Sequence, residues 1–207
     1  GYAGFSDMQK VFRARLREGW PDYHQRLEAL KAIGPEPHPA LHLHGFAEAA
    51  TASLDRLGAT VDPVRLGRAV DLLAAADTIH LVGARRVFPV TAYLAYAFAK
   101  MGVRSQLVDN VGGLGGEQIA SARPGDAVLA VSYAPYTQTT VDLVEAAAAA
   151  GVPVVAITDS TFSPLVRAAA EWLEVAEADY GDFRSLAATF ALAMALAVSI
   201  GEKREAR

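Results

Sequence analysis

Between residues 78 and 176 five short apolar runs alternate with helix-patterned segments, and this alternation limits the fold more than any other feature of the chain. The runs are TIHLVG (78–83), VRSQLVD (103–109), DAVLAVS (126–132), VPVVAIT (152–158) and EWLEVA (171–176). Strands that stay apolar along their length are covered on both faces, as in parallel sheets. Helices between successive strands supply that cover, and right-handed crossovers wind the sheet in both directions. The pattern therefore predicts an α/β fold: a doubly wound, five-stranded parallel sheet preceded by helices. The intervening helices are expected over 87–101, 114–122, 137–150 and 164–170, and a long apolar helix over 182–200.

Upstream, the chain changes character. Residues 1–33 carry Lys10, Arg13, Arg15, Arg17, Arg26 and Lys31. Phe5, Met8, Phe12 and Leu16 recur at helical spacing behind Ser6 or Asp7 as an N-cap, and a second amphipathic segment covers 22–33. GPEPHP (34–39) breaks the chain and reads as a linker. A helix is expected over 40–57, and another from Asp62-Pro63, an N-cap with proline at the first helical position, to about residue 76. The sequence opens on Gly1-Tyr2 without an initiator Met and reads as a fragment trimmed at its N-terminus.

Composition removes several classes of function. The 207 residues carry a net charge of -4, so the chain as a whole does not attract nucleic acid, and a DNA role needs a local basic patch or further sequence. Cysteine is absent, which rules out a disulfide framework or a thiolate metal site and fits a cytoplasmic location. No apolar run is long enough to span a membrane. His38, His42 and His44 are close in sequence, but 42 and 44 diverge on a helix and Pro39 interrupts the stretch. They do not form a metal-ligand set, and no metal or other cofactor is expected.

In open parallel sheets, ligands sit at the carboxyl ends of the strands. That rule puts 83–86, 132–137 and 158–160 on one rim. SYAPYTQTT (132–140) ends a strand and begins a helix, where unpaired N–H groups and the positive end of the helix dipole suit an anion. Ser132, Thr137, Thr139 and Thr140 add hydroxyls, Tyr133 and Tyr136 could flank a polar ring, and Arg85 and Arg86 supply cations. The same residues also allow a plainer reading, in which Thr137 merely caps its helix and the tyrosines pack. Asp159-Ser160 and Arg184-Ser185 are rim polar groups, caps or surface pairs. VGGLGGE (111–117) has neither dinucleotide-loop nor P-loop spacing and reads as a rim loop. No nucleophile elbow occurs, and no Glu or His stands near Ser132 as a base; Glu117 is the nearest candidate on the rim.

These motifs carry a resemblance. Residues 62–205 resemble the SIS (sugar isomerase) domain, a flavodoxin-like module that binds phosphosugars. Its enzyme form has Ser-x-Ser-Gly-x-Thr-x-x-Thr after the third strand. Ser132, Thr137 and Thr140 match this frame, while Ala134 and Pro135 replace the second Ser and the Gly. In the first loop, Gly-x-Gly-x-Ser of the enzymes, Gly83 matches, and Arg85 and Val87 stand at the other two positions. SYAPYTQTT, GVPVVAITDSTFSPL and FRSLAATFALAMAL are similar to the SIS domain of RpiR-type bacterial transcriptional regulators. GYAGFSDMQKVFRARL resembles the end of that family's helix-turn-helix domain.

The resemblance implies three segments: a helix-turn-helix remnant (1–33), a linker with connecting helix (34–61) and an SIS effector-binding domain (62–207). It implies a non-catalytic, cytoplasmic sensor, a homodimer or tetramer. The effector would be a phosphosugar or related anionic sugar-like molecule, held by Gly83, Arg85, Arg86, Ser132, Tyr133, Tyr136, Thr137 and Thr140. Its binding would alter the affinity of the N-terminal domain for operator DNA. A phosphosugar isomerase or another SIS-fold enzyme is the alternative.

Overall fold

The structure is a computed structural model that describes residues 21–31 and 39–206. The expected helix around Phe5–Leu16 lies outside the described residues; of the segment expected as a helix-turn-helix remnant, 1–33, only 21–31 are described, and of the linker at 34–39 only Pro39.

Among the described residues, three helices precede the sheet: α1 (Tyr23–Lys31), α2 (Pro39–Thr60) and α3 (Pro63–Ala75). A reciprocal cap starts α1: Asp22 Oδ1 accepts from the Gln25 N–H at 2.8 Å, and Gln25 Oε1 from the Asp22 N–H at 2.9 Å. Asp62 caps α3 by accepting from the N–H groups of Val64 and Arg65, with Pro63 in the first turn as expected. The long α2 buries only small residues, Gly45, Ala49 and Ser53, spaced one turn apart on one face.

The sheet consists of β1 (Ile79–Val82), β2 (Ser105–Val108), β3 (Ala127–Ser132), β4 (Val154–Thr158) and β5 (Glu171–Glu174). Its order is β2-β1-β3-β4-β5 and every pairing is parallel. This is the flavodoxin-like order, with a topological switch between β1 and β3. Helix α4 (Phe88–Lys100) follows β1, α5 (Gly115–Ala120) follows β2, α6 (Gln138–Ala149) follows β3, and α7 (Ala187–Glu205) closes the chain.

Strand periodicity divides the core in two. Ile79, Leu81, Leu129, Val131, Val155 and Ile157 pack under α3, α4 and α7, where Leu73, Leu94, Phe98, Leu196 and Ile200 are fully buried. Val128, Ala130, Val154 and Ala156 pack on the other face, with Val144 and Ala147 of α6. His80 points to this second face, with Nε2 3.1 Å from Asp126 Oδ2. Asp126 also accepts from the N–H groups of Arg123 (2.9 Å) and Thr78 (3.1 Å), and so ties the entrances of β1 and β3 together.

The outer strands β2 and β5 are four residues long. Glu171 opens β5 and pairs with Arg68 and, at 3.6 Å, with Arg65, whose guanidinium stacks over Trp172 at 4.5 Å.

The structure corrects two sequence expectations. Residues 164–170 hold a single 3-10 turn, Pro164–Arg167, that Ser163 caps through the Leu165 N–H. The closing helix begins at Ala187 rather than 182, because the preceding residues form an antiparallel hairpin of β6 (Asp179–Tyr180) and β7 (Phe183–Arg184). Gly181 and Asp182 make its two-residue turn with φ of +56° and +62°, the left-handed geometry that such hairpins require.

Candidate functional site

The carboxyl ends of β1, β3 and β4 bring together most of the residues singled out in the sequence. After β1 comes Gly83, whose missing side chain lets α4 approach: a Cβ there would lie 2.8 Å from Thr91 Cγ2. Arg85 follows with φ +56° and an exposed side chain. Arg86 lies half-buried, its guanidinium 5.9 Å from the centre of the Tyr133 ring. Burial pulls the Arg86 pKa below the usual arginine value, repulsion from Arg184 adds to this, and Tyr133 and Asp159 pull the other way. Among the described residues no carboxylate forms an ion pair with Arg86.

The loop after β3 supplies the rest. Ser132 and Thr140 are buried, and among the described residues neither hydroxyl has a hydrogen-bond partner. Thr137 occupies the N-cap position of α6 with extended backbone, yet its side chain makes no capping bond. Its carbonyl accepts from the N–H groups of Thr140 (3.0 Å) and Val141 (3.2 Å). The plainer reading, in which the Thr137 side chain caps its helix, therefore does not hold; the hydroxyl makes no bond to the helix mouth. An extended N-cap with an idle hydroxyl is an arrangement ready for an external acceptor.

The two tyrosines differ. Tyr133 is buried, with its hydroxyl 2.6 Å from Thr189 Oγ1 at the start of α7. Thr189 spends its single proton on Glu177 Oε1 at 2.7 Å, so Tyr133 donates to Thr189. Burial raises the Tyr133 pKa, which keeps that proton in place. Tyr136 is half-buried and donates to Asp159 Oδ1 at 2.8 Å; burial and the adjacent carboxylate both raise its pKa.

Asp159, just beyond β4, is the hub that sequence reasoning did not isolate. Its Oδ2 accepts from the Ala134 N–H and from Arg184 Nη1, both at 3.0 Å, while its Oδ1 takes Tyr136. One carboxylate thus holds the loop after β3 and the hairpin strand β7. Glu177, beyond β5, was also missed: Oε1 accepts from the Thr189 N–H and hydroxyl, while Oε2 is buried with no partner among the described residues.

Residues 72–199 match the SIS domain family. The chain belongs to that family. The SIS assignment fits the parallel sheet, the switch point and the helix mouth after β3. No curated protein matches the sequence. Among solved structures, the sugar isomerase domain of an RpiR transcription factor from Sphaerobacter thermophilus is 27% identical with a TM-score of 0.73, covering 80% of this chain and 94% of that one. The Vibrio vulnificus NanR protein, in complex with ManNAc-6P, is 23% identical with a TM-score of 0.69, covering all of this chain and 72% of its own. A Methanococcus jannaschii protein, whose structure infers a function of 3-hexulose-6-phosphate isomerase, is 15% identical with a TM-score of 0.59, covering 80% and 90%. The similar structures thus include a transcription factor's sugar isomerase domain, a protein bound to ManNAc-6P and a protein whose structure infers an isomerase function.

Elsewhere, His42 Nδ1 lies 3.4 Å from the Tyr180 hydroxyl and His44 sits beside Glu48, and among the described residues no group of His, Asp or Glu could hold a metal. Glu117 is exposed on α5. No helix among the described residues is long and apolar enough to cross a membrane.

Proposed function

We propose that this chain is the effector-sensing part of an RpiR-type transcriptional regulator. Its SIS domain binds a small anionic, sugar-like molecule at the rim formed by Gly83, Arg85, Arg86, Ser132, Tyr133, Tyr136, Thr137 and Thr140. Binding there alters DNA affinity in a helix-turn-helix domain that ends within residues 1–33, with 34–61 connecting it to the SIS domain at 62–207. The functional unit is a homodimer.

The observation that carries the reading is the uncapped mouth of α6, with the Thr137 hydroxyl idle, on the same rim as Arg86, which lies over the Tyr133 ring of the loop leading into α6 and has no ion-pair partner among the described residues. A half-buried guanidinium and unpaired helix N–H groups on one rim favour an anion over water. The likeness to the Sphaerobacter transcription factor supports the regulatory side. Asp159 is occupied by three donors, which leaves it poorly placed to take a proton from a substrate. The test is a thermal-shift series with inorganic phosphate, ManNAc-6P, other hexose phosphates and sugar acids. A rise in melting temperature that Thr137→Val and Arg86→Ala abolish supports the site; a rise that both variants retain removes it.

One observation favours the second reading, a phosphosugar isomerase. Glu177 keeps one carboxylate oxygen without a partner near the rim. Turnover of an aldose or ketose phosphate that disappears in Glu177→Gln would establish that reading.

A further inference from the structure

The rim and the N-terminal helices are joined by one small element. The β6–β7 hairpin carries Arg184 at its rim end, bound to Asp159 at 3.0 Å in a pair that is mostly buried. Asp159 in turn holds the Ala134 N–H and the Tyr136 hydroxyl of the loop after β3. On the hairpin's other side the contacts are aromatic. Phe183, adjacent to Arg184, meets Tyr23 of α1 edge-on at 5.3 Å and Phe46 of α2 at 6.3 Å between ring centres. Tyr180 meets Phe46 at 5.3 Å and reaches His42 with its hydroxyl.

Two glycines make these contacts possible. A Cβ at Gly45 would collide with the Tyr180 ring, and one at Gly181 with Leu30 of α1. Helix α1 buries none of its own residues. Its described aromatic contact to the domain is therefore the one with Phe183, reinforced by the Arg26 guanidinium 5.8 Å from the same ring. Arg26 is also near enough to add to the repulsion that Arg86 feels from Arg184. Three cations from three separate elements thus converge near the rim, with Asp159 among them.

We propose that the β6–β7 hairpin couples the rim to α1 and the start of α2, with the Asp159–Arg184 pair as its rim-side joint. This rests on the effector reading, because an anion at the rim is what shifts the joint. An anion bound near Arg86 offsets the repulsion among Arg86, Arg184 and Arg26 and competes with Asp159 for the same cations. Either effect changes how firmly the hairpin holds Arg184, and the aromatic contacts carry the change to α1 and α2. The coupling is reciprocal: whatever repositions α1 alters anion affinity by the same factor. The hairpin reaches the loop after β3 through Arg184 and Asp159, and α1 through Phe183.

Hydrogen–deuterium exchange on the protein containing this chain tests the coupling in two arms. Without ligand, Arg184→Gln cuts the joint while leaving every side chain of α1 and α2 in place. Exchange of the 23–31 and 39–49 amides should rise about tenfold, while the 127–131 amides of β3 stay protected and report an intact core. If the rise is confined to 133–137 and 159–163, the proposal is overturned. In the second arm, saturating inorganic phosphate should change exchange at 23–31 in the wild type. Phe183→Ala should keep the phosphate-induced thermal shift and lose that response; a response that persists overturns the coupling. Absence of any thermal shift in the wild type counts against the effector reading, and the ligand-free arm still decides the coupling. Should Arg184→Gln expose β3 as well, Arg184→Met, which keeps an apolar stem but removes the guanidinium from Asp159, replaces it in the first arm with the same two outcomes.

Discussion

The hydroxyl of Tyr133 lies 2.6 Å from Thr189 Oγ1, which itself donates to Glu177, so a buried relay of three residues joins the loop after β3 to the first turn of α7. Every donor in this relay has one acceptor, and its order is fixed by the single proton on Thr189. The loop that carries the candidate site is therefore anchored from below at Tyr133 and from the side at Asp159.

Tyr133→Phe removes one donor and leaves the Thr189–Glu177 bond intact. The expected loss is about 1 kcal/mol of unfolding free energy by urea titration. Thr189→Val removes both hydroxyl links and leaves Glu177 Oε1 only the backbone N–H of residue 189, so about 2–3 kcal/mol is expected. Equal losses in the two variants would contradict the relay.

Asp159→Ala leaves the Ala134 N–H, the Tyr136 hydroxyl and Arg184 without their shared acceptor. A loss of about 2–4 kcal/mol is expected, since truncating one partner of a largely buried pair leaves the other uncompensated. Asp159→Asn keeps an acceptor and should cost markedly less. The comparison by urea titration separates loss of charge from loss of shape.

Asp126 gives the fold a defined acid sensitivity. Burial pushes its carboxyl up, but the hydrogen bonds from the Arg123 N–H, from His80 and from the Thr78 N–H together hold it below the ordinary aspartate value. A carboxyl depressed in the folded state stabilises the protein above the unfolded pKa, about 3.9, and loses that contribution as pH falls through the folded pKa. Unfolding free energy should fall more steeply below about pH 4 in the wild type than in Asp126→Asn.

Gly45→Ala places a methyl group where the Tyr180 ring lies. A cost of about 1–3 kcal/mol is expected from the forced displacement of the ring. Because the two residues touch, Gly45→Ala combined with Tyr180→Ala should cost less than the sum of the single changes. Additive costs would mean that α2 accommodates the methyl some other way.

At the rim, Thr137→Val and Arg86→Ala should each weaken binding of a stabilising phosphosugar. About tenfold is expected for the lost hydroxyl, and about ten- to hundredfold for the lost charge-assisted donor. Arg85→Ala should have the smaller effect, because that side chain is exposed. Isothermal titration of the three variants would rank them.

The parallel sheet was legible in the sequence because β1, β3 and β4 are buried at every position, and only apolar runs satisfy that. The hairpin at 179–184 was hidden. Its strands are two residues each, and Phe183 and Leu186 continue the apolar pattern of α7, so the periodicity reads as one helix. The dipeptide Gly181-Asp182 was the signal that a two-residue turn intervenes. Asp159 and Arg184 were each noticed as polar groups beside the rim, but 25 positions separate them, and no local pattern reports that they meet. Glu177 had no local signature either, since its partner Thr189 lies twelve positions on, in a different element. Whether Thr137 spends its hydroxyl on its own helix depends on a side-chain direction that composition and spacing do not fix.

The two margins of the sheet set a limit on how this molecule can go wrong. Recruitment of a foreign strand needs a long, flat, uncharged border with free amides. Here each border offers only four residues, and on the β5 side it begins with a glutamate tied to Arg65 and Arg68. Intruding backbone would meet a short strand that opens on an ion-paired glutamate. Fibrous self-propagation along the sheet is thereby suppressed, which leaves the domain free to be concentrated without templating its own misassembly.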